Sequence, residues 1–157
     1  MNVEELLNSP EFQKLLPYVP YLVVAGMLRI ILLVTLSLQI DKTINLIKEE
    51  NRCLRKGHAW LMILPLFNIY WNFIVVRRMV DSFNNEFYDR QVAVEENPTL
   101  KMGYLFAGAF LAYNFPMPMF IGLVVFIIST VGLLLYLIKI IEYKKLLIET
   151  SRTDQTF

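Results

Sequence analysis

The stretch His58 to Val76, HAWLMILPLFNIYWNFIVV, decides how the rest of the chain can fold. It is apolar enough to enter a bilayer, yet Pro65 and Asn68 stand in its middle and Trp60 lies only eleven residues before Trp71. A simple spanning helix places its aromatic residues near its two ends, roughly 30 Å apart. Proline removes a backbone donor and disfavours the helical conformation of Leu64, while Asn68 offers a side-chain partner for the groups thus freed. The segment is therefore expected to be broken. Ala59 to Leu64 would descend into the membrane, the helix would break around Pro65 to Asn68, and Ile69 to Val76 would return to the same side. A kinked full span is the competing arrangement.

The surroundings of this stretch carry the same signal. Of the 157 residues 56% are hydrophobic, and the mean hydropathy is +0.48, against an apolar share of about 45 to 50% in soluble domains. Apolar runs at Tyr18 to Ile40, Ala59 to Val76, Met102 to Phe115 and Met119 to Ile141 are separated by segments that hold nearly all the charge. Helices satisfy their own backbone groups in lipid and open strands cannot, so the expected class is an all-α integral membrane protein with four apolar helical segments, the second re-entrant or kinked at Pro65. A net charge of +1 gives no reason to expect nucleic acid as a partner. The single cysteine, Cys53, excludes an internal disulfide and a cysteine metal cluster. Glu4, Glu5 and Glu11 against Lys14 do not read as the basic start of a signal peptide.

Read as one membrane domain, the chain begins with a short interfacial helix over residues 1–17, started by Ser9 and Pro10 and presenting Phe12, Leu15 and Leu16 to the bilayer. Residues 18–56 read as one long first helix, because Ile40, Ile44, Ile47 and Leu54 continue a 3.6-residue stripe past the apolar core until Gly57. Residues 58–90 combine the broken segment with a surface helix. Phe73, Val76, Val80, Phe83 and Phe87 form its stripe, and Arg77 and Arg78 stand three or four residues from Asp81. Asn97 and Pro98 are expected to cap the next helix, and residues 98–115 and 119–150 pair as a helical hairpin around the uncharged turn NFPMPM.

Three groups of residues are candidates for function. Arg29 stands in the middle of the first apolar run, with no acidic residue in any apolar core before Glu142. With Asn68 and Asn72 it forms a candidate intramembrane polar site, or else it snorkels or pairs with carbonyls freed near Pro65. Arg52, Arg55, Lys56, Arg77, Arg78, Lys144 and Lys145 are candidate contacts for lipid headgroups or a partner, each cation contributing about 1 kcal/mol near an anionic surface. Gly103, Ala107, Gly108 and Ala112 recur at helix-neighbour spacing and are candidates for close helix packing, within the protomer or between copies.

Orientation follows from the cations outside the apolar cores. Four full spans place 9 Lys and Arg on one side and 5 on the other, whereas a re-entrant second segment places 13 inside and 1 outside. The second division satisfies the positive-inside rule far better, and both put the C-terminus in the cytoplasm.

No phosphate-binding loop, metal-ligand spacing or nucleophile elbow occurs. His58 and Cys53 sit among Arg52, Arg55 and Lys56 without an acid or base partner at productive spacing, so neither a catalytic residue nor a cofactor is expected. The spacing W-x-x-x-x-P-x-x-N-x-x-W at Trp60, Pro65, Asn68 and Trp71, followed by a charged amphipathic helix, resembles small bacterial multi-spanning membrane families classed as domains of unknown function. The resemblance covers about residues 58 to 90. It implies a bacterial inner-membrane location and several helices, and it carries over no catalytic residue. The expected role is a non-enzymatic membrane subunit or scaffold that binds lipid, a membrane protein partner or a second copy through cytoplasmic helices. The alternative is an oligomeric channel or transporter component in which Arg29 faces the break at Pro65.

Overall fold

The computed structural model describes residue 13 and residues 16–153, with side chains to residue 151. These residues are all-helical, and no strand occurs among them. After a single 3-10 turn at Leu16–Tyr18, four α-helices follow in order: α1 (Val19–Ile44), α2 (Phe67–Asp89), α3 (Leu100–Tyr113) and α4 (Met119–Thr153). Two further 3-10 turns, Glu49–Asn51 and His58–Ile63, lie between α1 and α2. The interfacial helix expected over residues 1–17 falls outside the described residues apart from residue 13 and its last two positions.

Two helices, Leu16–Ile44 with its leading turn and Met119–Ser151, are long and apolar enough to cross a membrane; Leu100–Tyr113 is apolar but shorter. The chain divides into two compact units, Met1–Ile31 and Leu32–Phe157. The described part of the first is the beginning of α1, where Pro20 occupies the first turn at no hydrogen-bonding cost and most of the large apolar side chains are exposed.

The second unit holds the core. Leu36, Ile40, Ile44, Ile47 and Leu54 pack with Val76, Met79, Phe83 and Phe87 of α2, Phe106 of α3, and Leu133, Tyr136 and Ile140 of α4. The expected long helix over 18–56 is corrected here. The α-helix ends at Ile44 and the chain folds back, although Ile47 and Leu54 are buried as the stripe requires. The reason lies in the polar residues that follow Ile44: the Lys48 amide and the Asn51 side chain both donate to Glu86 on α2. These tertiary bonds replace the helical ones.

The amphipathic helix expected after residue 76 forms as part of α2, with Arg77 exposed on its outer side. Val75, Val76, Met79, Val80, Ser82, Phe83, Glu86 and Phe87 are all buried, so α2 is a core element with a broad inward face. It starts at Phe67, which puts Asn68 in its first turn, where the Asn68 amide bonds the Leu64 carbonyl at 3.0 Å. The backbone thus closes the gap that the Asn68 side chain was expected to fill. Leu66, at φ 66° and ψ −47°, is the centre of a γ-turn whose Phe67 amide reaches the Pro65 carbonyl at 2.8 Å, a strained geometry for a residue with a Cβ. The start of α3 differs from expectation in a smaller way: Thr99, also left-handed at φ 68°, precedes the first helical residue in place of Asn97.

α3 and α4 approach each other closely at Gly132. A Cβ on Gly132 would lie 3.0 Å from the Phe106 amide nitrogen and 3.1 Å from its Cα, so the backbones meet there. Gly132→Ala should therefore lower the thermal midpoint of the purified protein by the equivalent of about 1–3 kcal/mol, the usual cost of overpacking. Gly108, with nothing within 4 Å of an added Cβ, should tolerate alanine or gain slightly from it. Equal effects of the two substitutions in a melting assay would contradict this packing.

Candidate functional site

The polar residues of the second unit gather where the C-terminal ends of α1, α2 and α4 meet. Glu86 is fully buried and Arg90, one turn on, is 9% exposed in its side chain; they pair at 2.6 Å and 2.8 Å through two guanidinium nitrogens. The other Glu86 oxygen accepts the Lys48 amide and the Asn51 side chain, each at 3.0 Å. Asn51 also donates to Asp89 at 2.8 Å. Arg90 continues outward from the pair, donating to the Leu147 carbonyl and Thr150 hydroxyl of α4 at 2.8 Å and 2.9 Å, and to the Leu46 carbonyl at 3.4 Å. Burial pushes the Glu86 carboxyl up, but the bonds from Asn51, Arg90 and Lys48 together outweigh it and hold the group below its ordinary 4.5.

A second set of bonds fixes the chain between α1 and α2. The Cys53 amide donates to the Ser82 hydroxyl at 2.9 Å, and the Asn85 side chain donates to the Cys53 thiol at 3.6 Å. The amide of Gly57, itself left-handed at φ 79°, donates to Asp41 at 2.8 Å. Ser37 then donates to the Ala59 carbonyl at 3.1 Å, and the Trp71 indole to the His58 carbonyl at 2.8 Å. Residues 57 to 59 therefore run back along α1, and Trp71 of α2 lies beside them.

The sequence-derived candidates separate on this framework. Arg29 is half-buried, has an interaction partner, and belongs to the first unit. Asn68 and Asn72 belong to the second; Asn72 is fully buried, and neither of its polar side-chain atoms has a hydrogen-bond partner among the described residues. Of the basic candidates, Arg77 pairs with Asp81 at 3.4 Å, Lys144 donates to Gln39 at 3.0 Å, and Arg52 donates through Nε to the Ile47 carbonyl at 2.8 Å. Arg78 is half-buried, while Arg55, Lys56 and Lys145 are exposed. Gly103 and Ala107 are buried, with Val76 and Tyr136 against Gly103; Gly108 and Ala112 are only half-buried.

No family, curated protein or solved structure matches the chain. Among the described residues no group of His, Cys, Asp and Glu is placed to hold a metal ion.

Sequence reasoning missed Glu86, Arg90 and Asn51, the centre of the polar cluster, and Gly132. The available signal was the pair Glu86 and Arg90 at a spacing of four inside an apolar stripe, where a solvated pair would not be expected. Arg90→Ala leaves a buried carboxylate without its cation and should cost about 3–5 kcal/mol, whereas Glu86→Leu combined with Arg90→Met should recover much of that loss. Because the folded-state pKa of Glu86 is depressed, its contribution is present above pH 4.5 and is lost as pH falls through the lower folded value. An acid titration followed by circular dichroism should accordingly show a destabilisation below pH 4.5 that is weaker in the double variant. Equal acid sensitivity of both proteins would remove Glu86 from this role.

Proposed function

We propose that the chain is a multi-pass protein of the bacterial inner membrane, acting as a non-enzymatic subunit or scaffold whose cytoplasmic end engages anionic lipid or a partner protein. One observation carries the reading: two long apolar helices end beside each other at a polar cluster surrounded by cations. Arg90 reaches Leu46, just past α1, and Leu147 and Thr150 near the end of α4, so the two helices finish on the same side. Their exposed large apolar residues run from Val19 to Leu38 on α1 and from Met119 to Ile138 on α4, twenty positions each. Twenty helical residues cover about 30 Å, the thickness of a hydrocarbon core.

In this arrangement α1 enters the cytoplasm at Ile44, and the segment from Gly57 dips back beside Ser37 before α2 returns to the cluster at Glu86. α3 then leads outward, and α4 comes back in. That path is supported by the bonds from Gly57 to Asp41, Ser37 to Ala59 and Trp71 to His58, and it is the one that puts 13 cations inside and 1 outside. The tip of the dip exposes Leu64, Leu66 and Tyr70, apolar side chains suited to lipid or to a membrane partner.

Two measurements test the reading. In a Cys53→Ser background, cysteines placed at Glu50 and Asn85 should be shielded from an impermeant thiol reagent in intact cells, while one at Asn114 in the opposite turn should be labelled. Labelling of position 50 from outside would overturn the path. Pull-down of the intact protein in mild detergent should recover a stoichiometric partner or a homo-oligomer, and a strictly monomeric, partner-free particle would remove the scaffold role.

A further inference from the structure

The turn between α1 and α2 forms an open pocket of about 470 Å³ lined by Glu49, Arg52, Leu54, Arg55 and Lys56. Three cations face one carboxylate, so the pocket is net positive. Its cations are also uncommitted. Arg52 is held by its Nε bond to the Ile47 carbonyl, which orients the guanidinium and leaves its two terminal nitrogens without a partner among the described residues. Arg55 and Lys56 make no side-chain hydrogen bond or ion pair among the described residues. A guanidinium fixed at Nε with its outer edge open is suited to two parallel bonds to a phosphate, and a neighbouring ammonium adds a point charge.

The depth of the pocket identifies the source of that phosphate. The Gly57 amide is bonded to Asp41 at 2.8 Å, which fixes Lys56 and Gly57 about one helical turn beyond Leu38, the last exposed large apolar residue of α1. Trp60, three residues on, is 39% exposed, as an indole at a membrane interface would be. The acidic groups nearby are Glu49 in the pocket, Glu50 beside it, and Asp41, whose Oδ1 takes the Gly57 amide. Asp89 is occupied by Asn51 and Lys48.

We propose that this pocket binds the phosphate of an anionic phospholipid headgroup in the cytoplasmic leaflet, with Arg52 and Arg55 as the bidentate donors and Lys56 as the flanking charge. The proposal rests on the membrane reading above and names the ligand of one part of that surface. It predicts selectivity for headgroups of net negative charge, since three cations against the single carboxylate of Glu49 attract an uncompensated phosphate and repel the ammonium that a zwitterionic headgroup carries beside it.

The test uses the full chain reconstituted in nanodiscs of phosphatidylcholine with a minor fraction of phosphatidylglycerol, followed by native mass spectrometry of the lipids retained after extraction into detergent. The wild type should retain phosphatidylglycerol in excess of its share. Arg52→Gln, Arg55→Gln and Lys56→Gln should each reduce that excess about fivefold, and Lys101→Gln, which removes an exposed cation outside the pocket, should leave it unchanged. Loss of the excess in the presence of millimolar inorganic phosphate would assign the site to the free anion and overturn the lipid. Stable insertion with no lipid preference, or an equal loss in Lys101→Gln, would overturn the pocket while leaving the membrane reading intact. Failure of the wild type to insert, with the protein remaining dispersed without detergent, would overturn both.

Discussion

The Glu86–Arg90 pair is the constraint on which the second unit depends. A buried ion pair is not in itself a large source of stability, because removing two charges from water offsets most of their attraction. Its effect here comes from what each partner does with its remaining hydrogen-bonding capacity. Glu86 takes the Lys48 amide and the Asn51 side chain, and Arg90 takes a carbonyl from the chain after α1 and another from α4. One turn of α2 therefore ties the chain just past α1 to the last turns of α4. The specificity follows from the cost of the alternatives, since any slip of α2 against its neighbours would strand a buried charge.

The chain from Asn45 to Leu66 shows how this constraint shapes local structure. Its sequence favours continuing α1, and its apolar residues even keep helical spacing. Helix continuation would carry Ile47 and Leu54 beyond the core and leave Asn51 facing water. Folding back buries both aliphatic residues and brings Asn51 to Glu86 and Asp89. Hydrophobic burial and tertiary hydrogen bonds act together against a modest difference in helix propensity, and they prevail.

The comparison between sequence and structure follows the same line. Apolar periodicity located the buried positions well: Ile40, Ile44, Ile47, Val76, Val80, Phe83 and Phe87 are all in the interior. It located the helix ends less well. Periodicity reports which residues avoid water, and Ile47 and Leu54 avoid it equally in a helix or in a compact turn. The all-helical class was legible from the blocks of apolar residues. The polar cluster was not, because Glu86 and Arg90 look like an ordinary exposed pair four residues apart, and only the packing of α2 makes them interior. Gly132 was passed over for a similar reason. It stands alone, whereas spacing pointed to Gly103 and Gly108; an added Cβ would meet the Val76 side chain at Gly103, the Phe106 backbone at Gly132 and nothing within 4 Å at Gly108.

The shared finish of α1, α2 and α4 has an electrostatic consequence. Each helix carries about half a negative charge at its C-terminal end, so three ends together concentrate roughly one and a half units of negative potential in one place. Arg52, bonded to the Ile47 carbonyl just past α1, and Arg90, bonded to the Leu46 and Leu147 carbonyls, stand near that potential. The backbone itself thus attracts cations to this side of the fold. In this chain Arg52 and Arg90 are partly the counter-ions of the fold's own helix dipoles.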